Sequence, residues 1–218
     1  MFKGKAKAAN IFIDLDGPIL DVSEKYYQVY RSVVLTLGGR PLGKNRYWHL
    51  KRNKFSLPKL LEMSAIYGDK NTLLFKSHWL SLIERKAFLA YDKPWPHIKG
   101  LLRCLKNRYR LVLATLRRRK PNLDWQLERF ELGSYFNLVL CQNGNQGGWM
   151  DKYKLIKESG VLEASSVLVG DTEIDILAGR RLGIKTIALL CGLRCRDVLA
   201  LYKPDYILSS LNEARKLM

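Results

Sequence analysis

From residue 98 onward the chain alternates short apolar runs with segments of helical length, and this alternation constrains the fold more than any other feature. Arg110–Ala114 (RLVLA), Phe136–Leu140 (FNLVL), Ser166–Val169 (SVLV) and Thr186–Leu190 read as strands, with Asp205–Leu208 as a short edge strand. Between them Ile98–Asn107, Asn122–Glu131, Lys152–Ser159, Ile174–Leu182, Val198–Tyr202 and Leu211–Leu217 read as helices, and Gly144–Gly148 as loop. Nearly continuous apolar strands separated by helices predict a parallel sheet covered on both faces. A further run, Ile11–Ile13, stands far upstream and leads directly into Asp14-Leu15-Asp16-Gly17-Pro18. The glycine and proline break the extended conformation there. Taken alone, this segment reads equally as a solvated turn. Placed in the same sheet, it completes a doubly wound, Rossmann-like α/β core, in which ligands gather outside the carboxyl ends of the strands. Two acids one residue apart at such an end can converge on one cation.

Residues 18–95 have a different texture. Asp21-Val22-Ser23-Glu24 suits the start of a helix running through Tyr26, Val29, Tyr30, Val33, Val34 and Leu37, stopped by Gly38-Gly39. Further helices are expected over Leu57–Tyr67 and Leu73–Leu89, and no alternating strand stands out. The region reads as a helical module inserted early in the chain and closed by Pro94-Trp95-Pro96. The expected organisation is a core of residues 1–17 and 96–218 and an inserted α-helical cap over 18–95. Tyr26, Tyr27 and Tyr30 read as helix-packing residues. Lys44, Arg46, His49, Lys51 and Arg52 form a basic cluster with Tyr47 and Trp48. That mix suits a grip on an anionic substrate as a lid closes, or contact with nucleic acid. His49 reads as a structural or exposed residue.

The 218 residues carry a net charge of +18, which favours acidic partners: phosphorylated metabolites, nucleic acid or an anionic membrane surface. No apolar stretch approaches the roughly 18 residues of a membrane span. Lys3, Lys5 and Lys7 precede an apolar segment that Asp14 stops too soon for a signal-peptide core. Lys3–Ala9 reads as a mobile basic lead-in. Cys104, Cys141, Cys191 and Cys195 show neither a CxxC pair nor zinc-site spacing, and read as free thiols of a cytoplasmic protein.

In a parallel sheet four features share one edge: Asp14 and Asp16, Thr115 at the end of RLVLAT, Lys152, and Gly170-Asp171-Thr172-Glu173-Ile174-Asp175. Their order and spacing resemble the motif set of the haloacid dehalogenase-like (HAD) superfamily of phosphatases, over essentially the whole chain. The motifs stand here as DLDGPILD, VLAT, the lysine at 152 and GDTEID, and the tail VGDTEIDILAGRRLGIKTIAL is similar to the phosphoglycolate phosphatase-like branch. The resemblance implies Mg²⁺-dependent hydrolysis of a small phosphorylated metabolite, of the phosphoglycolate or sugar-phosphate kind, through an aspartyl-phosphate on Asp14. It makes Asp16 the general acid and base, a role that calls for a raised pKa. It assigns Thr115 and Lys152 to the phosphoryl oxygens, and Asp14, Asp171, the Asp16 backbone carbonyl and a supporting Asp175 to the metal. Gly17, Leu116 and Arg117 join Thr115 and Lys152 as expected substrate contacts.

Two features depart from the pattern or compete within it. Pro18 stands where phosphatases of this kind usually carry Thr, which removes a donor beside the acid/base loop. Lys154 rivals Lys152 for the third motif, and Lys152 is preferred because it is expected immediately before the helix. Arg117-Arg118-Arg119-Lys120 reads either as a solvated charge run or, at Arg117, as a substrate contact. The second aspartate favours phosphoryl transfer over dehalogenation, since dehalogenase members lack it. A phosphomutase resembling β-phosphoglucomutase is the enzymatic alternative. A nucleic-acid-binding protein or polynucleotide-end phosphatase ranks below both, because the basic residues are scattered over both modules and a closed cap admits only a small substrate.

Overall fold

The computed structural model describes residues 10–142 and 147–215. Its strands are β1 (Asn10–Ile13), β2 (Leu20–Asp21), β3 (Lys93–Pro94), β4 (Arg110–Thr115), β5 (Leu138–Cys141), β6 (Val167–Gly170), β7 (Lys185–Leu189) and β8 (Tyr206–Leu208). Its α-helices are α1 (Ser23–Thr36), α2 (Lys44–Arg52), α3 (Leu57–Glu62), α4 (Asp69–Leu82), α5 (Lys86–Leu89), α6 (Ile98–Lys106), α7 (Lys120–Arg129), α8 (Trp149–Lys157), α9 (Glu173–Leu182), α10 (Arg196–Ala200) and α11 (Leu211–Ala214).

Six strands form one parallel sheet in the order β5-β4-β1-β6-β7-β8. The first strand in sequence therefore lies inside the sheet, pairing Ile11 with Leu111 on one side and Val167 on the other. All four β1 residues are buried, as a strand covered on both faces requires. Alternate residues serve opposite layers. Ile11, Ile13, Leu111 and Leu113 pack with Leu102 and Leu105 of α6 and Leu123 and Leu127 of α7. Phe12, Val112 and Leu168 pack with Ile156 of α8 and Ala178 of α9. The doubly wound α/β core expected from the sequence is the fold observed, with every expected strand of that core present.

Residues 23–89 hold α1–α5 and bury a cluster of their own. Val29, Tyr30, Val33 and Val34 of α1 meet Tyr47, Leu60, Leu61, Ile66 and Phe75. The Tyr30 hydroxyl lies 2.6 Å from Ser64 Oγ and accepts the Leu42 N–H at 2.9 Å, so this cluster is pinned by a satisfied polar pair. The basic cluster around Tyr47 is itself a helix, α2, whose one fully buried residue is Tyr47. The expected Leu57–Tyr67 helix ends at Glu62, before Ala65 turns to a positive φ of 60°. The expected Leu73–Leu89 helix starts earlier, at Asp69, and breaks after Leu82 before α5 resumes.

The reading of residues 18–95 without strands is corrected at their margins. There β2 and β3 pair antiparallel, Leu20 with Pro94 and Asp21 with Lys93. Two residues per strand are too few to show alternation in sequence. The junction is reinforced by Trp95, whose indole N–H donates to Gly17 O at 2.6 Å and whose backbone N–H donates to Ile19 O at 3.0 Å. The expectations for Lys3–Ala9, for most of the Gly144–Gly148 loop and for the end of the last helix fall outside the described residues. Among those described, no helix is long and apolar enough to cross a membrane.

Candidate active site

Because β1, β4 and β6 are neighbours, the residues at their carboxyl ends converge. Asp14 follows β1, its N–H donating to Val169 O at 2.9 Å. Thr115 ends β4 and is buried. Asp171 follows β6, and Asp175 sits in the first turn of α9. Asp14, Asp171 and Asp175 each present a carboxylate oxygen within 4.8 Å of the others. Lys152 is fully buried beside them, Nζ lying 3.1 Å from Asp14 Oδ2 and 2.6 Å from Asp175 Oδ1. It belongs to the first turn of α8, which begins at Trp149, earlier than the expected start at the lysine, with Asp151 accepting the Gly148 N–H at 3.1 Å. Lys154, its rival in the sequence, is exposed.

Asp171 is held from the opposite side. Its Oδ2 accepts the Leu193 N–H at 2.5 Å. A Cβ at Gly17 would stand 2.2 Å from that oxygen and one at Gly192 would stand 1.9 Å away, so only glycines let the two loops close on the carboxylate. Gly17 also has a φ of +95°, a conformation natural to glycine. The other Asp171 oxygen, Oδ1, is buried without a hydrogen-bond partner.

Crowding of acids governs the electrostatics. Burial pushes the Asp14 carboxyl up to about 7, with Asp175 and Asp16 adding repulsion that Lys152 only partly offsets. Burial together with Asp175 and Asp14 holds Asp171 well above the usual carboxylate range. Burial alone would lower the Lys152 pKa, but Asp14 and Asp175 outweigh it and keep the ammonium charged. Three convergent carboxylates, one of which carries an orphaned buried oxygen, fit a hard divalent cation, which would relieve the repulsion.

Asp16 behaves differently from expectation. Arg117 grips it with two bonds, Nε to Oδ2 at 2.8 Å and Nη2 to Oδ1 at 2.6 Å, and Lys25 Nζ lies 3.3 Å from Oδ1. Burial raises the Asp16 pKa, but Arg117 and Lys25 overcome it and hold the carboxyl below the usual range. The raised pKa expected of Asp16 is therefore not found; among its neighbours the carboxyls of Asp14, Asp171 and Asp92 are raised, each chiefly by burial. Lys25 and Arg117 also reach Asp92 Oδ2, at 2.8 and 3.2 Å, and Gln126 Nε2 donates to the same oxygen at 2.8 Å. Arg117 is thus no part of a solvated run. Arg118 is likewise paired, to Glu84, whose carboxylate also accepts the Arg118 and Arg119 N–H groups. Arg119 and Lys120 remain exposed.

A cavity of about 250 Å³ opens over this cluster, with Asp14, Asp16, Thr115, Leu116, Arg117 and Lys152 on its core side and Tyr26, Trp79 and Glu84 facing them from the helices. The sequence pattern of haloacid dehalogenase-like hydrolases matches residues 11–189. The chain belongs to this family. Among curated relatives it is 26% identical to pyrophosphatase PpaX of Bacillus mycoides (strain KBAB4) and 27% identical to phosphoglycolate phosphatase of Aquifex aeolicus (strain VF5), each match covering 95% of both chains. Among solved structures, the haloacid dehalogenase-like family protein SP0104 from Streptococcus pneumoniae superposes with a TM-score of 0.75 at 19% identity, covering 96% of this chain and 98% of that one.

This HAD-like hydrolase also uses residues that sequence reasoning passed over. Lys25, Asp92 and Glu84 lie in or beside the helical insert, and no spacing links them to the motifs. Tyr26 lines the cavity besides packing against Trp48 and Trp79, whereas Tyr27 and Tyr30 pack as expected. Of the basic cluster, His49 and Arg46 are exposed, and Lys44 pairs with Glu24 at 2.6 Å. Arg52 donates to Leu190 O at 2.6 Å, fastening α2 to the sheet edge. Pro18 lines a different cavity with Trp95 and Cys191, away from the carboxylates. All four cysteines are free.

Proposed function

We propose that this hydrolase is a Mg²⁺-dependent phosphatase of a small phosphorylated metabolite, acting through an aspartyl-phosphate on Asp14. The observation that carries the reading is the convergence of Asp14, Asp171 and Asp175 within 4.8 Å, beside a buried Lys152 and below the hydroxyl-bearing end of β4. Phosphatase and pyrophosphatase names among the relatives support it.

Asp14, Asp171 and the Asp16 backbone carbonyl would hold the metal, with Asp175 in support. Bound there, Mg²⁺ supplies positive charge that lets a phosphate dianion approach the carboxylates. The chain's own groups do the rest. Thr115 and Lys152 hold phosphoryl oxygens, aided by Gly17, Leu116 and Arg117 around the loop ends, and Lys152 aims Asp14 and favours its ionised form. An Asp14 oxygen attacks phosphorus as the bond to the leaving oxygen breaks, and Asp16 gives that oxygen a proton. Water then attacks the phosphorus, Asp16 takes its proton, and phosphate leaves with Asp14 restored. Asp16 must first gain a proton, which its pairing with Arg117 opposes. A phosphate dianion that draws Arg117 toward itself removes that opposition.

Residues 18–95 serve in this reading as a cap over a core of residues 1–17 and 96–218, closing on the cavity through Tyr26, Trp79 and Glu84. Free cysteines and a metabolite substrate fit a cytoplasmic enzyme. The test is phosphate release from p-nitrophenyl phosphate and a metabolite panel, with Mg²⁺ and with chelator, alongside Asp14→Asn. Metal-dependent turnover that disappears in the mutant supports the proposal. No turnover by folded, metal-supplied protein on any compound overturns it, and an isomerised product in place of free phosphate makes the enzyme a mutase.

A further inference from the structure

Lys51, near the end of α2, holds its ammonium 5.2 Å above the Tyr26 ring and 5.6 Å above the Trp79 ring. Among the described residues no hydrogen bond or ion pair engages that ammonium. Burial, with Arg194 nearby, pushes its pKa down to about 8. Glu173, the carboxylate that partly offsets this, is already held by Arg194 at 2.7 and 3.1 Å and by Lys54 at 3.0 Å. A half-buried ammonium over two aromatic faces, with no hydrogen bond or ion pair among the described residues, keeps its donors available to a ligand.

Its position gives those donors a purpose. Tyr26 and Trp79 both line the catalytic cavity. Lys51 itself lines a second cavity of about 360 Å³ between α2, α3 and α4, walled by Tyr47, Phe55, Leu60 and Phe75. The two cavities share Trp79 and Leu80 as their common wall, and Lys76 adds an exposed cation at the rim of the second. Lys51 lines the second cavity and not the first, so a leaving group that starts at Asp14 would have to extend past Trp79 to reach the ammonium and the apolar space beside it.

We propose that Lys51 and this second cavity form the leaving-group subsite, and that the substrate is an organic phosphomonoester carrying a second anionic group on an apolar or aromatic body. This rests on the phosphatase reading above and narrows it. A two-carbon body such as that of phosphoglycolate would leave most of the second cavity unfilled.

The experiment compares phenyl phosphate, 4-carboxyphenyl phosphate and 1,4-phenylene bisphosphate on the wild type, Lys51→Met, Lys51→Arg and Leu57→Trp, which narrows the second cavity. In the wild type at least one doubly anionic ester exceeds phenyl phosphate in kcat/KM by about tenfold or more, mostly through KM, the scale of one charge-assisted hydrogen bond. The preferred ester tells carboxylate from phosphoryl recognition. Lys51→Met collapses the ratio to near unity, Lys51→Arg retains most of it, and Leu57→Trp lowers the ratio of phenyl to methyl phosphate turnover. An unchanged anionic preference in Lys51→Met overturns the proposal. If no ester is turned over, the phosphatase reading fails by itself, and calorimetric titration of 4-hydroxybenzoate against phenol decides the subsite. Binding of the carboxylate that Lys51→Met removes upholds it; equal binding by both variants overturns it.

Discussion

Neutralising Asp14 is expected to destroy activity and yet stabilise the metal-free protein above neutral pH. The side chain is 15% exposed, so little solvent screening applies. In the unfolded chain it titrates near 3.8, whereas in the fold burial and the neighbouring acids hold its proton up to about 7. A carboxyl whose pKa is raised by folding contributes no penalty below the unfolded value, and stability is lost as pH rises toward the folded value. Between pH 3.8 and 7 that loss accumulates to about 4 kcal/mol. Asp14→Asn keeps the shape and removes the loss, while Lys152 retains Asp175 at 2.6 Å. With chelator present, the mutant should exceed the wild type by about 2–4 kcal/mol at pH 8 and by about 1 kcal/mol or less at pH 4.5. For a chain of this length that is roughly 5–15 °C in Tm at pH 8. Thermal and urea denaturation at the two pH values measure it. A mutant no more stable than the wild type at pH 8, or a gain independent of pH, would refute the assignment of Asp14 to a crowded, desolvated carboxylate cluster.

Three further outcomes follow from the same geometry. Mg²⁺ affinity, measured by calorimetry, should weaken as pH falls from 8 to 6, by up to about tenfold per unit for each proton displaced, because Asp14 and Asp171 must both ionise to bind; affinity flat across that range would contradict the cluster. Arg117→Ala should cost about 3–5 kcal/mol, since it strips the bidentate partner from Asp16 and leaves Asp92 short of a cation; denaturant midpoints within error of wild type would count against the network. Gly192→Ala should displace Asp171, because the new Cβ would lie 1.9 Å from its Oδ2. The expected result is loss of Mg²⁺-induced thermal stabilisation in a protein that still folds, and unchanged stabilisation would show that Asp171 is not where the metal binds.

The core and the motif ends were legible because both depend on local chemistry. Runs such as Arg110–Thr115 and Val167–Gly170 are apolar for the simple reason that both of their faces are covered, and the acids and threonine stand where those runs stop. The helix α2 was hidden because six of its nine residues are polar or charged and Tyr47 alone is buried. The state of Asp16 was hidden for a different reason. Its sign depends on which cation pairs with it, and Arg117 lies 101 residues away while Lys25 reaches it only because α1 begins where β2 ends. Asp92 and Glu84 are single acids in unremarkable surroundings whose partners are set by tertiary contact. Although α8 starts earlier than its sequence suggests, Lys152 lies beside the carboxylates and Lys154 is exposed.

The short β2–β3 pairing also bears on how the chain reaches this state. Asn10 of β1 pairs with Arg110 of β4, so the centre of the sheet closes across about 100 residues. Searching for that contact with an unstructured intervening chain is slow. Once the helices have collapsed and Leu20 has met Pro94, only the two short stretches outside the pair remain to be ordered, and closing the sheet becomes easier by about 1 kcal/mol. Weakening the helical cluster, for instance at Tyr30, should therefore slow formation of a sheet that contains none of its residues.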